Sequence, residues 1–318
     1  MLVLKENYFQ HKEQYLKERF EADQKNIALC SYAGGKRRII RHIKEIIYDF
    51  NYPKPALIAD LCAGAGSLSL NSRSDIKVIN DANIMLAVIY NALSNESSSK
   101  KLCSIMEKME ASEKSYDEAC NYWKNNKDLP LEHFEGDELV KAAVYSWLIL
   151  RLNFRGDVVD PSNLRKLNFS NVRNIENKMK SFRRDIYRFR YAVCGSKTYV
   201  YNKDIIDALY SLKDTVDRSD CNNNFIYIDP PYVGSDYYNC KFDRHEELLE
   251  LADSFPRDKC RIAVSGFDSK LYRDILEKLQ GEWCCVFVKE ITNNGKLYSG
   301  GTSRETQKEY IFLNYIPE

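Results

Sequence analysis

Residues 225–238 read Phe225-Ile-Tyr-Ile-Asp229-Pro230-Pro231-Tyr232-Val-Gly-Ser-Asp-Tyr-Tyr238, an apolar run cut short by an acid and two prolines. Phe225 to Ile228 have the character of a buried strand. The two proline rings remove two N–H donors and bias the residues before them to extended geometry, so the strand cannot simply continue. An acid, a free carbonyl and an aromatic ring are thereby gathered at a strand's C-terminal edge, which in open α/β sheets is where ligands bind.

Those groups suit methylation of an exocyclic amine on a nucleobase. The amine's lone pair is delocalised into the ring. Acceptors on its two hydrogens, the Asp229 carboxylate and the Pro230 carbonyl, favour the tetrahedral nitrogen that can attack a methyl donor. Tyr232 offers a face for the base to stack on, offsetting part of the roughly few kcal/mol needed to draw a base out of its helix. For the bare triplet the alternative is a strand, a Pro-rich turn and a helix-capping Asp, so the remainder of the chain has to decide.

Upstream, Ala56-Leu-Ile-Ala-Asp60-Leu-Cys62-Ala-Gly64-Ala-Gly66-Ser67 predicts a second buried strand, a Gly-rich turn and the small-residue start of a helix. Asp81 follows 21 residues after Asp60, at the end of a short strand expected over 77–80, where acids bind ribose hydroxyls. S-adenosylmethionine has a ribose and no pyrophosphate, which accounts for a turn lacking the full G-x-G-x-x-G. Earlier still, Ser31-Tyr32-Ala33-Gly-Gly35-Lys36-Arg-Arg places Lys36 near a helix N-terminus, a position that suits a carboxylate or phosphate. A Gly turn with a solvated basic first turn is the alternative there.

With 318 residues, 44% of them apolar, the chain can bury a core as one large domain or two modest ones. No apolar run approaches the roughly 18 residues of a membrane span, and Met1 to Gln10 lack a signal peptide's apolar region. A soluble, cytoplasmic protein is expected. Ten cysteines without a C-x-x-C pair and four histidines without ligand spacing predict no disulfides and no metal. The net charge of +1 hides an asymmetry: residues 96–138 carry six Lys/Arg against eleven Asp/Glu, and residues 161–200 carry ten against two. Local potential is what phosphates feel, so a nucleic-acid partner stays open.

Alternation of strand and helix lapses after Asn91. Residues 100–150 read as helices ending in an apolar run, followed by Arg151-Leu-Asn153-Phe-Arg155-Gly156 and a polar loop. The next helix carries Ile175, Met179, Phe182, Ile186 and Phe189 on one face, with Lys180, Arg183, Arg184, Arg188 and Arg190 around the rest. A cationic face is usually just solvated; beside a pocket for a flipped base it reads as a contact to the DNA backbone. Strands resume over 197–201, with Asp204 just beyond, and recur over 225–228, 261–265, 284–289 and 310–315. Helices over 245–254 and 270–279 lie between them, and a flexible polar loop over 293–304 lies at the sheet edge. That makes seven strands, the last two an antiparallel hairpin. Residues 5–26 read as an N-terminal helix with no functional account.

The order of Tyr32 to Lys36, Asp60 to Gly66, Asn80-Asp81-Ala-Asn83, a long insert, Asp204, Asp229 to Tyr232 and a closing Glu309-Tyr-Ile-Phe-Leu-Asn314-Tyr315 resembles the Dam-type, D12-class adenine-N6 DNA methyltransferases of the alpha group. The resemblance covers nearly the whole chain beyond residue 30. It implies an α/β fold, the Rossmann-like sheet of class I S-adenosylmethionine-dependent methyltransferases, with about seven strands in a catalytic domain of residues 1–90 and 196–318. Residues 91–195 would be a helical target-recognition insert. It further implies that Tyr32, Ala33, Gly35, Lys36, Asp60, Cys62, Gly64, Gly66, Asp81 and Asp204 hold S-adenosylmethionine, and that Asp229, Pro230, Pro231 and Tyr232 act on an adenine flipped out of double-stranded DNA. Arg151, Asn153 and Arg155 stand in a stretch similar to the R-Y-N-x-R-G with which Dam enzymes touch DNA. A cognate restriction endonuclease that need not bind directly is a compatible partner; no membrane or metal is implied.

The chain departs from the family at Asp60-Leu61-Cys62, where acid-Pro-Phe is usual, at Leu152, which replaces an aromatic, and at Val158 to Asn163 in place of F-N-V-P-F-G. Recognition of GATC is therefore not implied. Three other functions use the same scaffold: N4-cytosine DNA methylation, whose tetrapeptide more often begins with Ser, RNA adenine methylation, and silent DNA binding, against which Asp229, Asp81 and Lys36 argue. A C5-cytosine enzyme needs a thiolate, usually after a proline, and no cysteine here follows one.

Overall fold

Every residue of Asn224–Ile228 is buried, as befits a parallel strand covered on both faces. The computed structural model describes residues 1–9, 26–30, 35–48, 53–153, 172–218, 223–233, 242–292 and 306–317. In chain order its strands are β1 (Leu2–Lys5), β2 (Leu57–Asp60), β3 (Ile76–Asn80), β4 (Lys197–Tyr201), β5 (Asn224–Ile228), β6 (Cys260–Phe267), β7 (Trp283–Thr292) and β8 (Thr306–Leu313). Its α-helices are α1 (Ile40–Ile47), α2 (Ile84–Ser94), α3 (Glu96–Lys108), α4 (Glu113–Asn126), α5 (Gly136–Leu152), α6 (Val172–Cys194), α7 (Ile205–Arg218), α8 (His245–Asp253) and α9 (Lys270–Lys278).

The sheet runs β1-β7-β8-β6-β5-β2-β3-β4. All neighbours are parallel except those of β8, which is antiparallel to both β7 and β6. Seven strands and the late hairpin are those expected. The eighth is β1, a short apolar run that lies along the edge of β7, with Leu2 opposite Trp283 and Lys5 opposite Val286. Residues 6–9 then turn, so the helix expected from residue 5 does not begin there; residues 10–25 lie outside the described residues.

Strand order reverses between β2 and β5, which pair with Leu57 opposite Asn224 and Asp60 opposite Tyr227. That reversal opens a crevice at the strands' C-terminal ends. Side-chain alternation divides the sheet's two faces. Leu57, Ala59, Ile226, Ile228, Ile262 and Val264 pack on α7, α8 and α9, and Ile58, Phe225, Tyr227 and Ala263 pack on α1.

The crossover from β3 to β4 contains α2 to α6. Buried along almost its whole length, α2 stands between the sheet and the other inserted helices. Side-chain caps fix the turns between them: Asn83 Oδ1 accepts from Met85 N at 3.0 Å, Asn95 Oδ1 accepts from Ser97 N and Ser98 N, and Ser112 and Ser115 form a capping box. Trp147 of α5 packs edge-on against Phe182 of α6 at 4.4 Å, and removing such a buried ring costs about 3–5 kcal/mol. Met179, Phe182, Ile186 and Phe189 are buried, as their spacing required. The inserted helices share one core with Ala63, Ala65 and Ile79 beside β2 and β3, and residue 91, the expected boundary, falls inside α2. Among the described residues no helix is long and apolar enough to cross a membrane.

Candidate active site

At the crevice between β2 and β5 lies a cavity of about 260 Å³, walled by the Gly-rich turn, Asn80 to Ala82, Lys203 to Ile205, Asp229, Pro231, Gly35, Lys36 and Phe242. The turn depends on glycine at two places, Gly64 with φ 50° and Gly66 with φ 78°. A Cβ on Gly66 would come within 2.5 Å of the Tyr90 hydroxyl. Tyr90 in turn donates to Gly64 O at 2.9 Å, so α2 anchors the turn from behind.

Asp81 sits just past β3 and accepts from Gly64 N through Oδ2 at 2.7 Å and from Asn83 N through Oδ1 at 2.8 Å. Burial pushes its carboxyl up to about 6 against the pull of these two donors. Asp60 accepts from Ser69 N at 3.1 Å and from Ser69 Oγ at 2.6 Å, and burial pushes it up to about 7. It therefore builds the turn as well as lining the cavity. The helix expected after Gly66 is replaced by a run of turns over 64–71. Side chains there engage backbone that a helix would have used: Asp60 takes Ser69 N and Asn71 Nδ2 donates to Ser67 O, reaching Ile27 O as well. Asn80, quoted in the sequence pattern but given no role there, ties three strand ends together: it donates to Leu61 O and Lys203 O and accepts from Lys203 N. Asp204 caps α7 through Ile206 N at 2.9 Å and meets Arg244 at 3.2 Å.

Across the cavity, Lys36 Nζ lies 2.7 Å from Asp229 Oδ2 and 3.8 Å from Glu309 Oε1. Lys36 thus reaches the proline-flanked acid, where the sequence had suggested a cofactor contact. Burial raises the Asp229 carboxyl; Lys36 opposes it, Glu309 adds to it and Tyr232 opposes it weakly. Asp229 Oδ1 is buried and has no hydrogen-bond partner among the described residues. The Tyr232 hydroxyl donates to Glu309 Oε1 at 3.0 Å, and the Lys36 ammonium lies 4.8 Å from the centre of the Tyr232 ring. Sequence reasoning gave Glu309 no role, although an acid beside the apolar Tyr310 to Leu313 is the kind of residue buried only when paired. For Phe242 the sequence held no signal.

Tyr32, Ala33 and Arg155 lie outside the described residues. Arg151 points inward, donating to Leu29 O at 2.9 Å and Ser181 Oγ at 2.6 Å. Asn153 is buried and donates to Tyr116 OH and Ile149 O. On α6, Lys180 is exposed, Arg183 donates to Met109 O, and Arg184 and Arg188 share Asp185 at 2.8 and 3.2 Å. The cationic face is therefore partly neutralised from within.

No curated protein sequence matches the chain. Similar solved structures include two of the rRNA methyltransferase aviRa from Streptomyces viridochromogenes, 13% and 12% identical with TM-scores of 0.40 and 0.38. Each alignment covers 88% of this chain and 85% of that one; likeness at that level carries no argument here. A sequence-family match does: it runs over residues 32–289 and takes in the Gly-rich turn, Asp81, the helical insert and the proline-flanked acid. The chain belongs to the D12 class N6 adenine-specific DNA methyltransferases.

Proposed function

We propose that this DNA adenine methyltransferase takes an adenine flipped out of duplex DNA into the cavity beside Asp229 and uses S-adenosylmethionine as its methyl donor. The observation that carries the reading is Asp229 Oδ1, a buried acceptor without a donor among the described residues. Leaving such a group unsatisfied costs about 1–3 kcal/mol or more, and an amine N–H is the complement it lacks. Asp229 Oδ1 and the Pro230 carbonyl then accept the two N6 hydrogens, and Tyr232 and Pro231 form the wall against which the base is held. This polarises the nitrogen lone pair toward the donor. Thymine and guanine, whose corresponding edge carries a carbonyl, would set oxygen against carboxylate.

The residues present fit S-adenosylmethionine. The Gly-rich turn lets backbone approach a ligand, and Asp81 and Asp204 stand at strand ends suited to hydroxyl and amino groups. When bound, S-adenosylmethionine supplies an electrophilic methyl group. Asp81 orients the ribose, Gly64 and Cys62 lie along the turn, and Gly35 and Lys36 close the far side. The helical insert, residues 91–195, serves target recognition, with Lys180 and Arg184 exposed to phosphates among the described cations of α6. A cytoplasmic location fits a DNA substrate, and a restriction endonuclease would be a partner in function only. Asp229→Ala tests the reading: single-turnover methyl transfer should fall about 10²-fold or more while donor affinity by calorimetry holds. Undiminished transfer would sink it.

A further inference from the structure

Glu309 is buried to 2% exposure on β8 and faces the same ammonium as Asp229. Three groups converge on its carboxylate: the Tyr232 hydroxyl at 3.0 Å and Lys36 Nζ at 3.8 Å on Oε1, and Lys289 Nζ at 3.9 Å on Oε2. Lys36 therefore lies between two buried acids, close on Asp229 and one short step from Glu309. In its present place the ammonium does what the target amine must do: it donates to Asp229 and lies over the Tyr232 ring. The target amine takes the other oxygen, Oδ1, so the incoming base competes with the ammonium for the Tyr232 ring while both donate to Asp229. A buried cation displaced from over that ring is held only where an acid stays within reach, and Glu309 Oε1 lies 3.8 Å from it.

We propose that Glu309 is a positioning residue that receives the Lys36 ammonium when the target base takes the face of Tyr232, and that it holds the Tyr232 ring in place through its hydroxyl. This rests on the reading of Asp229 as the amine's acceptor. No covalent step is involved. Among the described residues, the charged and titratable groups around Asp229 are Lys36 beside α1, Glu309 on β8, Tyr227 on β5, Asp60 and Cys62 on β2 and its turn, Asp81 after β3, Tyr272 on α9 and Tyr232 on its own loop. Among these described groups Lys36 carries the positive charge, with Lys289 farther off on Glu309, so where Lys36 stands bears directly on the charge state of Asp229.

The test uses the full chain with Asp carboxyls labelled with ¹³C, the Asp229 signal being identified by its loss in Asp229→Asn. Glu309→Gln keeps an acceptor for Tyr232 and removes the receiving charge. Its Asp229 titration should move to lower pH, its single-turnover rate should fall about 10²-fold, and its S-adenosylmethionine Kd should stay within about twofold of wild type. Lys289→Gln, at a residue about one-third exposed (31%), strengthens the hold of Glu309 on Lys36 and should move the titration to higher pH; it keeps the test alive if Glu309→Gln fails to fold. An Asp229 titration identical in wild type and both variants, or a loss of donor affinity in Glu309→Gln that matches its loss of rate, overturns the proposal. A wild type that methylates no adenine would instead defeat the reading of the site, and the titrations still decide the role of Glu309.

Discussion

Asp81→Asn is the sharpest probe of the cofactor half of the site. Both oxygens of Asp81 already hold backbone N–H groups, at 2.7 Å from Gly64 and 2.8 Å from Asn83. Asparagine keeps one of these bonds and turns an amide N–H₂ toward the other donor, so the turn loosens as the charge is lost. Charged hydrogen bonds to the ribose hydroxyls are worth about 1.5–3 kcal/mol, which corresponds to a Kd for S-adenosylmethionine raised about tenfold to about 150-fold. Calorimetry without DNA measures it. Burial sets the Asp81 carboxyl at about 6, above its ordinary value, so it is ionised at pH 8 and becomes protonated as pH falls through that range. The advantage of wild type over Asp81→Asn should therefore be full at about pH 8 and narrow at about pH 5. Equal affinities at the higher pH, or a ratio that ignores pH, would refute this account of Asp81.

Three further outcomes are expected. Gly66→Ala should lower stability by about 1–3 kcal/mol in denaturant unfolding, since its backbone is left-handed and the new methyl meets Tyr90; an unchanged midpoint would show that the turn can yield. Asp60, raised by burial from 3.8 to about 7, contributes stability that is full below its unfolded value and lost as pH rises through its folded one. Apo wild type should thus lose stability relative to Asp60→Asn across that window, and parallel curves would contradict it. Replacing Lys180 and Arg184 with Gln should flatten the salt dependence of DNA binding by about 0.9 log unit for each phosphate no longer neutralised, whereas Arg151→Ala should leave the slope alone and lower the melting temperature.

The sheet was legible in the sequence because its central strands are short apolar runs that end in residues unable to extend them, Gly64 after β2 and Pro230 after β5. The crossover insert was legible as a lapse in alternation, and the α6 core face as a helical period. Strand β1 was not, because four residues at a chain end carry too little pattern to outweigh the polar segment that follows. The acids past the strands were found by position, but their duties were not. Whether Asp60 faces a ligand or Ser69, and whether Lys36 meets a cofactor or Asp229, depends on residues distant in sequence that only the folded chain brings together. Arg151 and Asn153 make the same point: their motif suggested a DNA contact, and their side chains are engaged with Leu29 and Tyr116.

The most direct test is to incubate the chain with duplex DNA and S-adenosylmethionine labelled in its methyl group, digest the DNA and identify the labelled nucleoside. N6-methyladenine as the labelled product, formed by wild type and not by Asp229→Ala, is the result predicted here. Label found on cytosine, or on RNA in preference to DNA, or transfer that survives loss of the Asp229 carboxylate, would contradict it.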